Sequence, residues 1–162
     1  MIGELLLFAA MACAIVGAVM DVRTRRIPNG LVLVLGLCAA GATIFAGGWT
    51  EFGWAAIHAL IALVVGMGLF AIRAIGAGDA KFYSAAAFGI PLGEALPMLG
   101  WVAVSGLVVL LAMFAWHRGP KVYRGEEKTS WTLPYAVPIA IGFLAVAYAG
   151  MGQPILWNEL IS

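Results

Sequence analysis

The chain has 162 residues and a mass of 17.0 kDa; 64% of it is hydrophobic, 10% is charged, and the mean hydropathy is +1.02. A soluble domain this small has too little interior to hide so much apolar surface, which excludes a soluble enzyme or a soluble binding module. Sparse charge, with a formal net of +1, also excludes a disordered chain and a nucleic-acid-binding surface, leaving an integral membrane protein.

Crossing a hydrocarbon core of about 30 Å takes roughly 20 apolar residues at about 1.5 Å each. The first such run is Ile2–Met20, closed by the polar string Asp21–Asn29. No basic stretch precedes it and arginines follow it, the reverse of a cleavable secretory signal. Gly30–Gly48 is the second run and Phe52–Ile75 the third, interrupted only by His58. The fourth opens at Ala80 and meets a break at Pro91. Its 12 residues make about 18 Å of helix, so either it continues, kinked, to about Glu94 or it starts below the membrane surface. Leu96–Trp116 is the fifth run, followed by the polar stretch His117–Thr132; Leu133–Gly150 is the sixth, and Met151–Ser162 forms a tail. No run alternates like a strand, so the fold class predicted is all-α: a polytopic membrane protein with six transmembrane helices in a single domain, 1–162.

On an up-and-down six-helix path, all nine basic residues fall on one side: Arg23, Arg25, Arg26, Arg73, Lys81, Arg118, Lys121, Arg124 and Lys128. The opposite side receives Glu4, Glu51, Glu94 and Glu159. The positive-inside bias makes the basic side cytoplasmic and puts both termini outside. Cys13 and Cys38 lie within apolar runs without further ligands at metal-binding spacing, and read as small packing residues. Trp49, Trp54, Trp116 and Trp131 fall near the ends of runs, as interfacial belt residues do. Small-residue strings such as Gly66-Met67-Gly68 read as surfaces for close helix packing, and His58 as a hydrogen-bonded packing residue.

Removing the outer glutamates and the loop pair Glu126-Glu127 leaves two acids, Asp21 and Asp79, at helix ends on the basic side. Carboxylates at a membrane boundary are costly unless solvated or used, so both are candidate site residues. Gly76-Ala77-Gly78 places nothing bulky before Asp79, which suits close approach of an extended chain. Two adjacent carboxyls can share one proton, the ionised one activating water while the protonated one polarises a carbonyl. The helix ends predict the division: Asp79 at a helix N-terminus as the anion, Asp21 at a C-terminus as the neutral acid. Pro28 and Asn29 sit at the start of the second helix, with Asn29 the expected cap. A small proton-coupled carrier, using Asp21 and Asp79 as ion sites, is a reading from another class.

Three strings resemble a known family: Asp21-Val-Arg-Thr-Arg-Arg-Ile-Pro-Asn29, Gly76-Ala77-Gly78-Asp79-Ala80-Lys81, and Leu133-Pro134-Tyr135-Ala136-Val137-Pro138. Their order and helix positions are similar to the type IV prepilin peptidases, GxGD-type membrane aspartic proteases, from about Met1 to Gly150. The resemblance implies an endopeptidase that removes the basic leader of a prepilin, whose apolar helix lies in the bilayer, at the cytoplasmic face of the bacterial inner membrane. It implies Asp21 and Asp79 as the catalytic pair, with no metal or organic cofactor. Gly76, Gly78, Lys81, Pro28, Asn29, Pro134 and Tyr135 would shape the site. Larger members carry a domain with Cys-x-x-Cys pairs after the first helix and also N-methylate the product. This chain has only Asp21–Asn29 there, so it is similar to the short branch serving Flp/Tad-type pili, or to preflagellin-type peptidases, without the methyltransferase. A presenilin-like protease cutting within a membrane helix is the rival within the same chemistry.

Overall fold

The computed structural model describes residues 1–117 and 134–151, and every regular element among them is helical. The stretch 118–133 and the tail after Met151, with Arg118, Lys121, Arg124, Glu126, Glu127, Lys128, Trp131 and Glu159, therefore lie outside the described residues. Five helices follow in order: α1 Ile2–Thr24, α2 Asn29–Ala71, α3 Ala77–Ala87, α4 Ala95–His117 and α5 Ala136–Met151. A single 3-10 turn, Leu92–Glu94, joins α3 to α4. Three of the helical stretches, Ile2–Thr24, Asn29–Ala71 and Leu92–Ala115, are long and apolar enough to cross a membrane.

The boundaries differ from the sequence expectation in ways with local causes. Helix α1 runs four residues beyond Met20, so Asp21 lies inside its last turn; Arg25, in left-handed conformation with φ 54°, stops it. The second and third predicted helices form one 43-residue element, α2, in which only Gly48 is non-helical. Its φ of 73° and ψ of −167° lie in a region open essentially to glycine alone. At that residue the chain reverses. Gly36, Ala39 and Thr43 of the first arm and Ala59 and Gly66 of the second all meet α3 or the turn after it, which a straight helix of about 65 Å could not do. The second arm ends at Ala71, not Ile75, in a Schellman-type turn: Arg73 N–H donates to Phe70 O and Ala74 N–H to Leu69 O, with Arg73 at φ 62°.

Helix α3 starts at Ala77 and stops at Ala87, four residues short of Pro91, so the kinked continuation to Glu94 does not occur. Its 11 residues make about 16 Å, roughly half a bilayer core. Carbonyls left over at its far end are met by side chains of α2, as an apolar interior requires. Thr43 Oγ1 donates to Phe88 O at 2.8 Å and His58 Nδ1 to Ile90 O at 2.9 Å, while Ser84 Oγ of α3 donates to Ala59 O at 2.8 Å. His58 is thus a buried hydrogen-bonded residue, as expected, and its partner is a backbone carbonyl.

The interior is built from small residues around a few large ones. Ala10, Ala14, Ala39, Ala85, Ala86 and Ala140 are buried beside Leu35, Phe82, Met98 and Phe143, while Leu, Val and Ile side chains face outward along α1, α2 and α4. Helices in lipid gain nothing by hiding leucine from an equally apolar solvent, so close backbone approach does the packing. Gly66 shows this directly: a Cβ there would stand 2.8 Å from Ala80 Cβ and 3.2 Å from its Cα. Gly68, two residues on, faces open space. Gly66→Val should therefore cost about 1–3 kcal/mol by overpacking the α2–α3 contact, against about 0.5 kcal/mol or less for Gly68→Val. Thermal unfolding of the two detergent-solubilised variants compares them side by side.

Candidate active site

Asp21 closes α1 with its side chain turned inward, 7% exposed. A buried carboxylate needs a donor, and α5 supplies it: the N–H of Ala136, the first residue of that helix, reaches Asp21 Oδ2 at 3.3 Å. This N–H is one of those that the start of any helix leaves unpaired. Asp79 stands in the first turn of α3, where Gly76, in extended conformation, caps the helix. Asp79 Oδ2 accepts the Gly76 N–H at 3.2 Å. The same oxygen lies 2.7 Å from where a Gly76 Cβ would be, so Gly76 is required for room and not for an unusual dihedral. Gly78 has nothing within 4 Å of a built Cβ, leaving an open flank beside the carboxylate.

Asp79 precedes the apolar part of α3 and lies outside the three helices able to span. Its carboxyl is raised from the ordinary carboxylate range to about 6. Burial is the chief cause and the charge of Asp21 the second, while the Gly76 N–H pulls the other way. The two carboxyls are therefore close enough to feel one another. For Asp79 the shift runs against the anionic role expected from its helix end. The N-terminal position of Asp79 is outweighed by burial and by a like charge, whereas Asp21, in the last turn of its own helix, faces the N-terminus of α5. That third helix end is absent from any reading of α1 and α3 alone.

The other sequence-predicted positions distribute unevenly. Pro134 is buried and Tyr135 half-buried at the start of α5, and Tyr135 Oη donates a long hydrogen bond of 3.5 Å to Ala74 O. Residues 134–136 thus touch both carboxylate-bearing segments, Asp21 directly and the Gly76 turn through Ala74. Pro28, not Asn29, takes the cap position of α2, its carbonyl accepting from Leu31 and Val32. Asn29 is the first helical residue and makes no side-chain cap. Lys81 is exposed on α3, as are Arg23, Arg25, Arg26 and Arg73 around the same end of the molecule. Glu4, Glu51 and Glu94 line one cavity of about 750 Å³ with neither aspartate nor any Lys or Arg in its wall. Among the described residues no three His, Cys, Asp or Glu side chains gather as a metal site.

The donor that sequence reasoning missed is the Ala136 N–H. A backbone group carries no residue-type signal; the one available hint was that a helix begins directly after Pro134-Tyr135.

A family model, described as the type IV leader peptidase family, matches residues 8–115, a stretch that includes both aspartates and the Gly76 turn. The chain belongs to that family. No curated protein and no solved structure matches it. As a type IV leader peptidase it is a membrane-embedded protease, and its family's substrates are prepilins.

The raised Asp79 carboxyl has a thermodynamic consequence with a definite sign. A carboxyl whose folded value of about 6 exceeds its ordinary 3.8 favours the folded state below pH 4, and that contribution is lost as pH rises through about 6. Asp79→Asn removes the burdened charge, so it should melt above the wild type at pH 7–8, with the gap closing near pH 4. Melting temperatures across pH 4–8 for both proteins check this.

Proposed function

We propose that the protein is an aspartic endopeptidase, Asp21 and Asp79 its catalytic pair, removing leader peptides from Flp-like prepilins at the cytoplasmic face of the inner membrane. The observation that carries the reading is that the two carboxyls stand close together: Asp79 is raised by burial first and by the charge of Asp21 second. Two acids that share a proton are what water activation without a covalent intermediate needs.

In this mechanism Asp21 is the ionised member, with one oxygen held by the Ala136 N–H, and Asp79 carries the proton. The Asp21 carboxylate takes a proton from a water whose oxygen bonds to the scissile carbonyl carbon. Asp79 meanwhile donates its proton toward the carbonyl oxygen as that oxygen gains charge. The tetrahedral intermediate collapses as the C–N bond breaks: the proton gathered by Asp21 passes to the leaving amine, and the hydroxyl proton on the former carbonyl oxygen returns to Asp79 as the C=O bond re-forms. One water is consumed and both carboxyls return to their starting states. The open flank at Gly78 gives an extended leader junction room beside Asp79.

The segregated charges support the remaining features. Arg23, Arg25, Arg26, Arg73 and Lys81 surround the aspartate end, which by the positive-inside bias makes that end cytoplasmic and the glutamate end periplasmic. The two arms of α2, with α1, α3, α4 and α5, supply six crossings, α3 serving as a half-length crossing shielded by α2. The four residues between α1 and α2 suit the branch that carries no inserted domain at that point. The carrier reading wants carboxylates near the midplane, and a presenilin-like protease wants them there too; both aspartates gather at one end.

The test is cleavage of an Flp-type prepilin by the full-length protein reconstituted in vesicles. Asp21→Asn and Asp79→Asn should each lower kcat by at least about 10³-fold while the protein stays folded. Full processing by either variant would rule the aspartic mechanism out. Intact cleavage of other prepilins, with none of the Flp type, would remove only the substrate assignment.

A further inference from the structure

Below the aspartates, α1 and α3 meet at a single point that the chemistry above does not use. Gly17 lies four residues before Asp21 on α1, and Phe82 three residues after Asp79 on α3. A Cβ on Gly17 would stand 2.5 Å from Phe82 Cε2 and 2.7 Å from Cζ, closer than carbon atoms approach. The phenyl ring therefore fills the notch that the missing side chain leaves. Phe82 is 0% exposed and Gly17 is buried, and Leu31 Cδ2 of α2 lies 3.5 Å from the same built Cβ. The ring cannot swing into empty space. Along the helix axes the contact sits about 6 Å from Asp21 and about 4.5 Å from Asp79. It is about one turn from each carboxyl, on helices that carry one each.

We infer that the Phe82 ring seated against Gly17 is the spacer that sets the separation of the Asp21 and Asp79 carboxyls. The inference rests on the protease reading for its effect on turnover and on geometry alone for its effect on spacing. Gly17 and Phe82 are positioning residues, because neither reaches the reacting atoms. A methyl group at residue 17 has to push the ring, and with it α3, away from α1. Rigid helices carry that displacement to the aspartates a turn away almost undiminished. An error of about 1 Å between catalytic groups is enough to cost on the order of 100-fold in rate.

The spacing itself is read by cross-linking, in full-length protein carrying Cys13→Ala and Cys38→Ala with the pair Asp21→Cys and Asp79→Cys. Adding Gly17→Ala should slow oxidative disulfide formation by about tenfold, and adding Phe82→Leu to that should restore most of the rate. In the otherwise native chain, Gly17→Ala should lower kcat by 10- to 100-fold with KM within twofold, and Phe82→Leu should again recover it. A general packing defect would behave the other way, because trimming a buried ring destabilises further. Unchanged cross-linking in Gly17→Ala, or a loss that Phe82→Leu deepens, overturns the inference. Should Gly17→Ala not yield folded protein, Phe82→Leu alone must change the cross-linking rate severalfold, and an unchanged rate overturns it equally. Cross-linking needs no substrate, so a wild-type protein that fails to cleave prepilin would sink the protease reading while leaving the spacing result readable.

Discussion

The start of α5 on the Asp21 carboxylate is the contact that everything at the functional end depends on. An inward-facing acid at the edge of an apolar bundle must be given a donor or given up as an anion. The Ala136 N–H meets that demand without a cationic side chain, whose charge would hold both aspartates ionised and spoil proton sharing. The same three residues reach the Gly76 turn through Tyr135. One helix start, far away in sequence, thus ties together segments 115 residues apart in the case of Asp21 and Ala136, and 61 apart in the case of Ala74 and Tyr135. The family match ends at residue 115, so this supporting contact comes from beyond the matched stretch.

Placing a half-length helix in the middle of such a bundle raises a second demand, since its ends leave carbonyls at a depth where water is scarce. The reversal of α2 at Gly48 answers it. Both arms flank α3, and Thr43 and His58, one from each, donate to the turn carbonyls that follow it. Polar side chains inside α2 are therefore a requirement of the short α3. That short helix in turn fixes Asp79 in its first turn at the site end.

The all-helical class and the apolar character were legible in the sequence because each rests on composition and spacing alone. The aspartates stood out because Asp21 and Asp79 are the chain's entire Asp content. The break at Gly47-Gly48-Trp49 was legible, and Gly48, with φ 73°, is where one helical arm of α2 gives way to the other; that the two arms meet through a single residue was not. Asn29 read as a cap because asparagine suits that role, but Pro28 arrives first with the required extended backbone. The expectation for Asp79 weighed that carboxyl by its own helix end alone, whereas burial and the neighbouring Asp21 raise it. No pattern along α1 announces the start of α5.

The alanine- and glycine-lined interior carries one more consequence. In a leucine core, positions can be wrong in two directions, too large or too small. Here the buried positions at Gly17 and Gly66 already hold the smallest side chain there is, and each has a neighbouring atom less than 3 Å from a built Cβ. Every replacement at such a site is an error of one sign. The outward-facing leucines and valines, in contact with a fluid, accept almost any apolar substitute. The specification of this molecule is thus written in its least conspicuous letters, and the bulky residues that dominate its composition say little beyond where the lipid is.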